Sequence, residues 1–291
     1  MHPLDGPRAK VERAKSQLEV LHNTFQRFFE QHPYRVVVAE FDAKVGHYNI
    51  RVQSGPPAFP DEWGVVIGEI AHNLRSALNE LTWQLALLQT PNPYDRTDFP
   101  IYTVGHTKQL MPHSKSLIPH FWGKGDGLRL LRSVINAQLR TWIEAFQPYK
   151  RKNGGRLSPL FLLEELNNTD KHRLITVVTV VAGGIQLTGY WGGGGKLRVG
   201  VPLHPNAKVG EVAPLPAEGV RVLDVVNDRL QIEDGKILTR LEHDVHVDTT
   251  ITPSIRFGAS CGAVKSLPVV STLQGMANEV SGIIESFARE F

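Results

Sequence analysis

The feature of the sequence that most constrains the fold is the stretch from Val65 to Leu88. Its apolar residues recur at steps of three or four, which is the period of a helix with one buried stripe. The residues of this stripe are Ile67, Ile70, Leu74, Leu78, Leu81, Leu85 and Leu88. The pattern predicts a central core helix. His72, Arg75 and Asn79 are stepped by three and four on one flank of it, so polar side chains are expected beside the buried stripe.

A second stretch repeats this arrangement. Ser158 and Pro159 form an N-cap and first-turn pair for a helix through PLFLLEELNNTDKHRL. The polar residues along one flank of this helix or close to it are Glu165, Asn168, Asp170, His172 and Arg173. If the two flanks face each other, a cation of the first helix pairs with a carboxylate of the second, because an uncompensated buried charge costs on the order of several kcal/mol. The expected pairs join Arg75 or His72 to Glu165 or Asp170.

The other elements predict an α+β fold of several packed helices. An amphipathic pattern over residues 8–31 indicates a first helix, and β-rich runs within residues 34–52 indicate an N-terminal hairpin that turns at Gly46. A further helix is expected at about 128–146, where Pro148 ends it.

The amino-acid composition of the C-terminal half differs from that of the helical part. Residues 174–265 are rich in β-branched residues and turn signals, which favours an antiparallel sheet. Apolar residues at helical spacing then predict a final helix at 270–289 that closes this sheet. Since no linker divides the helical part, about 1–173, from the β-rich part, we expect one domain over residues 1–291.

Composition narrows the class of protein. With 41% hydrophobic and 21% charged residues, the chain can bury a sizeable core. A net charge of +3 is too small for a dedicated nucleic-acid binder, although it permits contact with phosphate. No apolar run is long enough for a membrane span and the N-terminal segment lacks a signal peptide, so a cytoplasmic protein without a membrane partner is predicted. The single cysteine, Cys261, agrees with a reducing compartment.

The sequence does not support the common motifs for cofactor binding, nucleophilic catalysis or metal binding. The chain has no phosphate loop and no dinucleotide fingerprint, so no cofactor is predicted. Gly258 to Gly262 matches the G-x-S-x-G nucleophile pattern, but no histidine follows it, which favours a tight turn. The equally spaced His106, His113 and His120 are interpreted as a surface loop made by local duplication rather than as a metal site.

Two known groups of proteins carry similar phrases. HNLRSALNELTWQLA, FPIY, QPY and LNNTDKHRL resemble an uncharacterised bacterial family, common in actinomycetes, with the phrases HNLRSALDHL and NxDKHR. Its R-x-x-x-x-H spacing is similar to that of HEPN ribonucleases, in which an arginine and a histidine from paired helices act on RNA without metal. The resemblance implies that Arg75 contacts RNA. Glu80 stands at the histidine place, so His72 or His172 would supply the imidazole.

Three functional hypotheses follow. In the leading one, a polar pocket between the two helices binds an anionic ligand such as RNA or a nucleotide; the catalytic candidates are His72, Arg75 and His172, and the ligand-binding candidates are Asn79, Glu165, Asn168, Asp170 and Arg173. In the second, the protein is a non-enzymatic interaction or homo-oligomer module whose polar cluster is structural. The third is a His/Asp/Glu metal site that draws on the E-x-x-H spacing of Glu69 and His72.

Overall fold

The structure is a computed structural model. It describes residues 2–32, 35–42, 44, 47–54, 58–93, 97–102, 135–151, 155–191, 195–201, 222–225, 237–241 and 246–291. The His106, His113 and His120 repeat and the start of the helix predicted at 128–146 lie outside these residues.

Five α-helices occur in the described part of the chain. They are α1 (Asp5–Gln31), α2 (Glu62–Leu87), α3 (Ala137–Ala145), α4 (Pro159–Asp170) and α5 (Val269–Ser286). Short 3-10 helices follow at Pro148–Lys150, Gly262–Val264 and Ala288–Glu290. In the described residues, no helix is long and apolar enough to cross a membrane.

Seven β-strands form two sheets in the described residues. They are β1 (Arg35–Asp42), β2 (His47–Ser54), β3 (Val177–Trp191), β4 (Gly195–Val201), β5 (Val222–Val225), β6 (Ile237–Leu241) and β7 (His246–Phe257). One sheet is antiparallel with the order β1-β2-β6-β5, and the other has the order β4-β3-β7. Together with the helices, these sheets confirm the predicted α+β class.

The chain divides into two compact units. The first comprises Met1–His22, Asp61–Thr176 and Phe257–Phe291, and the second comprises Asn23–Pro60 and Val177–Arg256. All α-helices except the C-terminal part of α1 belong to the first unit, and nearly all strand residues belong to the second. The sequence predicts that residues 1–291 form one domain, and this stays a prediction.

The core of the first unit is built around α2. Its apolar stripe from Ile67 to Leu85 is fully buried, as the spacing of the leucines and isoleucines predicts. The prediction was wrong for Leu88, which follows the last turn of α2 and is 45% exposed. Helix α2 packs against α4 and α5, and these two helices also pack against each other. The prediction that the final helix closes a C-terminal sheet is therefore not supported, because the packing partners of α5 are helices.

The N-terminal hairpin is likewise not supported as a separate element. Strands β1 and β2 pair antiparallel, from Arg35 opposite Ser54 to Asp42 opposite His47, but as two of four strands in one sheet. The turn predicted at Gly46 lies outside the described residues.

The starts of α4 and α2 differ in how they are capped. Ser158 accepts a hydrogen bond from the backbone N–H of Phe161 at 3.3 Å, and Pro159 occupies the first turn of α4 as predicted. Asp61 precedes α2, but its side chain caps nothing because its own backbone is already helical.

The Gly258 to Gly262 segment forms a turn, as interpreted from its sequence. The N–H of Cys261 donates to the carbonyl of Gly258 at 3.2 Å. The buried Cys261 thiol donates to the carbonyl of Thr176 at 3.3 Å, and the hydroxyls of Ser260 and Thr176 lie 2.9 Å apart. The Ser260 hydroxyl and the Cys261 thiol thus both contact Thr176, which directly precedes β3.

Candidate functional site

The guanidinium of Arg75 lies at the centre of a closed cluster. Its Nε donates to Oε2 of Glu164 at 2.8 Å, one Nη donates to the carbonyl of Phe99 at 2.8 Å, and the other donates to Oδ1 of Asn79. The same Asn79 oxygen accepts the backbone N–H of Phe99 at 3.2 Å. Only 13% of the Arg75 side chain is exposed. Every nitrogen of Arg75 therefore has a protein partner.

A buried glutamine holds the segment that Arg75 binds. Nε2 of Gln147 donates to the carbonyl of Pro100 at 2.8 Å, and Oε1 of Gln147 accepts the N–H of Tyr102 at 3.0 Å. Burial, followed by the nearby charge of Glu164, raises the pKa of the Tyr102 phenol. The cluster thus joins α2, α4 and residues 97–102, and it keeps a neutral phenol next to the carboxylate.

The predicted partners of Arg75 were wrong. Glu164 binds the guanidinium, instead of Glu165 or Asp170. Asn168 is exposed and donates to Oε1 of Glu164 at 3.3 Å, and His172 is exposed beyond the end of α4. Arg75 and Asn79 of the first polar flank thus meet α4 in a saturated cluster rather than in an open pocket.

Glu80, at the histidine place of the HEPN signature, also has a structural role. Its carboxylate lies 2.6 Å from Nζ of Lys10 on α1, and this ammonium also donates to the Ser76 hydroxyl at 2.9 Å. A Cβ at position 6 would overlap the Glu80 carboxylate, so Gly6 permits this approach of α1 to α2.

A separate open pocket is lined by other residues of α2, including Glu69 and His72. It has a volume of about 660 Å³ and is bordered by α1, α2 and the chain at the end of α4. Its lining residues are Arg13, Gln17, Val65, Glu69, His72, Asn73, Asp170, Arg173 and Leu174. Of the residues predicted for the site, His72, Asp170 and Arg173 are thus brought together, whereas Arg75, Asn79, Glu165, Asn168 and His172 are not among the lining residues.

A chain of side-chain hydrogen bonds forms one wall of this pocket. Nδ2 of Asn73 donates to Oε1 of Gln17 at 3.0 Å, and Nε2 of Gln17 donates to Oε2 of Glu69 at 2.7 Å. Gln17 is only 9% exposed, so its orientation is fixed by these two contacts. The wall is therefore preorganised between α1 and α2.

Two glycines of α2 allow the opposite wall of the pocket to approach this helix closely. A Cβ at Gly64 would overlap the carbonyl of Ile175, and a Cβ at Gly68 would overlap the carboxylate of Asp170. Their spacing of four places both on one face of α2. Without side chains there, the chain from Asp170 to Ile175 can lie directly on the helix backbone.

This close approach changes the electrostatics of Asp170. The residue is exposed as a whole, but its carboxylate lies against Gly68, and this partial burial raises its pKa. A smaller opposing effect comes from the charge of His72, and Glu69 adds a further rise. The pocket thus holds a carboxylate whose ionised form is poorly stabilised by the protein.

Four ionisable side chains of the pocket are not fixed by hydrogen bonds within the described residues, although the charge of His72 acts on Asp170. In the part of the chain that the structure describes, Arg13, His72, Asp170 and Arg173 take part in no side-chain hydrogen bond or salt bridge. This is the opposite of Arg75, whose nitrogens are all engaged. Open ionisable groups in a concave site can bind a ligand, whereas a saturated cluster stabilises the fold.

Sequence reasoning missed Arg13, Gln17 and Asn73. The amphipathic pattern of residues 8–31 predicts a helix but does not single out any of its polar side chains. A usable signal was the step of four between Arg13 and Gln17, which places them on one face. Among the described residues, no group of three or more His, Cys, Asp or Glu side chains could hold a metal ion.

The chain matches no protein-family model, no curated protein and no solved structure. The resemblance to the bacterial family and to HEPN ribonucleases therefore stays a prediction.

Proposed function

We propose that the protein binds a small anionic ligand of the nucleotide class in the pocket between α1, α2 and the end of α4. The observation that carries this proposal is a group of ionisable side chains in one pocket of about 660 Å³ that, within the described residues, form no side-chain hydrogen bond or salt bridge. Volumes of this order are typical of small-molecule sites.

Two arginines supply the anion site. Arg13 on α1 and Arg173 after α4 line the same pocket, and their guanidinium groups are suited to bidentate contact with phosphate or carboxylate. His72 lines the same pocket and can exchange a proton with a bound group. Of the two carboxylates, Glu69 already accepts a hydrogen bond from Gln17, which leaves Asp170 as the open acceptor.

This proposal transfers the anion-binding role from Arg75 to Arg13 and Arg173. A ribonuclease of the HEPN type would need the guanidinium of Arg75 free to contact a phosphate. In this chain, such a contact would first have to break the bonds to Glu164, Asn79 and the Phe99 carbonyl. The proposal is accordingly one of binding, and it assigns no cleavage step.

Titration calorimetry of the purified protein with a mixture of nucleoside monophosphates, and separately with a short labelled RNA, tests this function. We expect saturable binding that weakens as salt is added, because ions screen the contact of phosphate with exposed arginines. Arg13→Gln and Arg173→Gln should each reduce the affinity by about tenfold, in line with the loss of one charge-assisted hydrogen bond.

Matched controls are available within the chain. Arg27, which lies further along α1, and Arg156 are both exposed and do not line the pocket. Arg27→Gln and Arg156→Gln remove the same charge, so they should leave binding unchanged. Equal losses in all four variants would mean that only net charge matters, and the pocket would then not be the site.

A specific observation favours a second role for the Arg75 cluster. Its groups are buried or nearly so, hydrogen-bonded to one another, and shared between α2, α4 and residues 97–102. We propose that this cluster is structural and fixes the register of α2 against α4. An interaction or homo-oligomer function built on it stays a prediction.

A further inference from the structure

The pocket has an apolar rim next to its charged groups. Val65 on α2 and Leu174 after α4 are 51% and 44% exposed, and both line the pocket. Large apolar side chains are costly to leave in water at this level of exposure. A ligand with one flat apolar part and one anionic part would cover the rim and contact Arg13 and Arg173 at the same time.

The open polar groups beside this rim include two carboxylate acceptors, in addition to the donors of Arg13 and Arg173 that the anionic part of a ligand would contact. Gln17 donates to Glu69 and Asn73 donates to Gln17, so part of the amide donor capacity is used within the protein. The Asp170 carboxylate and the second oxygen of Glu69 take part in no side-chain hydrogen bond in the described residues. An ionised carboxylate can only accept hydrogen bonds. The part of the ligand that contacts these carboxylates must therefore donate hydrogen bonds, while the arginines contact its anionic part.

Among the nucleotide bases, guanine presents two neighbouring donors, N1–H and N2–H, on its Watson–Crick edge. Adenine and cytosine place a donor next to an acceptor there, and uracil places a donor between two acceptors. A carboxylate can therefore form two parallel hydrogen bonds with guanine alone, because each other base would direct an acceptor toward a carboxylate oxygen.

We propose that the pocket selects guanine nucleotides, with the Asp170 carboxylate accepting the N1–H and N2–H groups of the base and Arg13 and Arg173 binding the phosphate. This inference rests on the proposed function and names the substrate class of the same site. Gly68 contributes as a positioning residue, since the absence of a Cβ allows the Asp170 carboxylate to lie against α2 beside Val65 and Glu69.

The test measures the affinities of GMP, AMP, CMP, UMP and inorganic phosphate for the wild-type protein by titration calorimetry. GMP should bind about 10- to 100-fold more tightly than the other nucleotides, which is the discrimination that one bidentate pair provides. Asp170→Asn replaces one acceptor by a donor, so the variant should lose this preference and gain affinity for xanthosine monophosphate, whose O2 replaces the N2 donor by an acceptor. Asp61→Asn, at an exposed carboxylate outside the pocket, is the matched control and should keep the preference for GMP.

The outcomes separate the two proposals. Equal affinity for all four nucleotides, lost in Arg13→Gln, would overturn the selection of guanine and leave the anion site standing. No binding of any nucleotide or of phosphate would overturn both. Circular dichroism checks whether Asp170→Asn is folded. If the variant is unfolded, the order of nucleotide affinities in the wild-type protein still decides whether the pocket selects guanine.

Discussion

Arg75 on α2 and Glu164 on α4 are joined by a hydrogen bond of 2.8 Å between Nε and Oε2, with 13% and 25% of their side chains exposed. The guanidinium also bonds Asn79 and the carbonyl of Phe99. One side chain thus connects two core helices to an irregular segment. Since its loss would leave several partly buried acceptors without a donor, this connection should matter for stability.

Arg75→Ala should lower the free energy of unfolding by about 2–4 kcal/mol, because it leaves the Glu164 carboxylate and the Phe99 carbonyl unsatisfied in a partly buried place. Urea unfolding followed by fluorescence measures the change. Arg8→Ala is a suitable control, because Arg8 makes two hydrogen bonds to Glu285 at 2.7 Å on the surface. It should cost far less, since water replaces an exposed pair. Similar losses in both variants would show that the Arg75 cluster has no special structural role.

Glycines on two helices should respond oppositely to alanine. Gly64→Ala should destabilise the protein by about 1–3 kcal/mol, because the added Cβ overlaps the backbone carbonyl of Ile175. Gly68→Ala should cost less, because the Asp170 carboxylate that its Cβ overlaps is the end of an exposed side chain and can turn away. Gly64→Ala should be the worse of the two, since a backbone carbonyl yields less readily than a side chain.

Gly275 on α5 is the control for these glycine variants, because a Cβ there would meet nothing within 4 Å. Gly275→Ala should stabilise the protein by about 0.5–1 kcal/mol through helix propensity. Thermal unfolding of the three variants checks the order. A neutral or stabilising Gly64→Ala would contradict the close contact between α2 and the backbone at Ile175.

Much of the helical unit could be predicted from the sequence. The apolar stripe of α2 predicts both the existence of this helix and its central place, because six large apolar side chains at helical spacing, from Ile67 to Leu85, are buried together. Ser158 and Pro159 located the start of α4, since each satisfies or removes a donor that the first turn leaves open. These signals are local, so they did not depend on the rest of the fold.

The pairing of side chains could not be predicted in the same way. Glu164 and Glu165 are neighbours in sequence but point about 100° apart on a helix. Which of them meets Arg75 depends on the rotation of α4 against α2, and that rotation is set by packing. The pocket could not be predicted for a related reason. Arg13 and Gln17 are polar residues of α1, and only the packing of α1 beside α2 shows that they line a pocket.

Asp170→Asn should change how stability depends on pH. Burial raises the pKa of Asp170 in the folded state, with Glu69 adding to the rise and His72 opposing it, while Arg173 lines the same pocket. The folded state therefore holds this proton more strongly than the unfolded state, and the stability of the wild-type protein falls as pH rises through the interval between the two pKa values.

Urea unfolding between pH 4 and pH 8 measures this effect as the difference between variant and wild type. Asp170→Asn should be at least as stable as wild type at pH 8, and its advantage should disappear as the pH falls and the wild-type carboxyl is protonated. Asp61→Asn provides the baseline for removing an exposed carboxylate. A variant that is less stable than wild type at pH 8 would show that the charged carboxylate makes a favourable contact in the folded protein.

Glu80→His recreates the arginine and histidine spacing of HEPN ribonucleases in this chain. We expect no cleavage of labelled RNA, because the guanidinium of Arg75 remains bound to Glu164 and the Phe99 carbonyl and cannot contact a phosphate. The substitution should also cost about 1 kcal/mol in stability, since Lys10 loses a partly exposed partner at 2.6 Å. Glu80→Gln, which breaks the same ion pair without adding an imidazole, is the control and should match it in both assays. Cleavage by Glu80→His that disappears when Arg75 is also replaced would contradict the structural role of the Arg75 cluster, because it would show that this guanidinium can leave its partners and contact RNA.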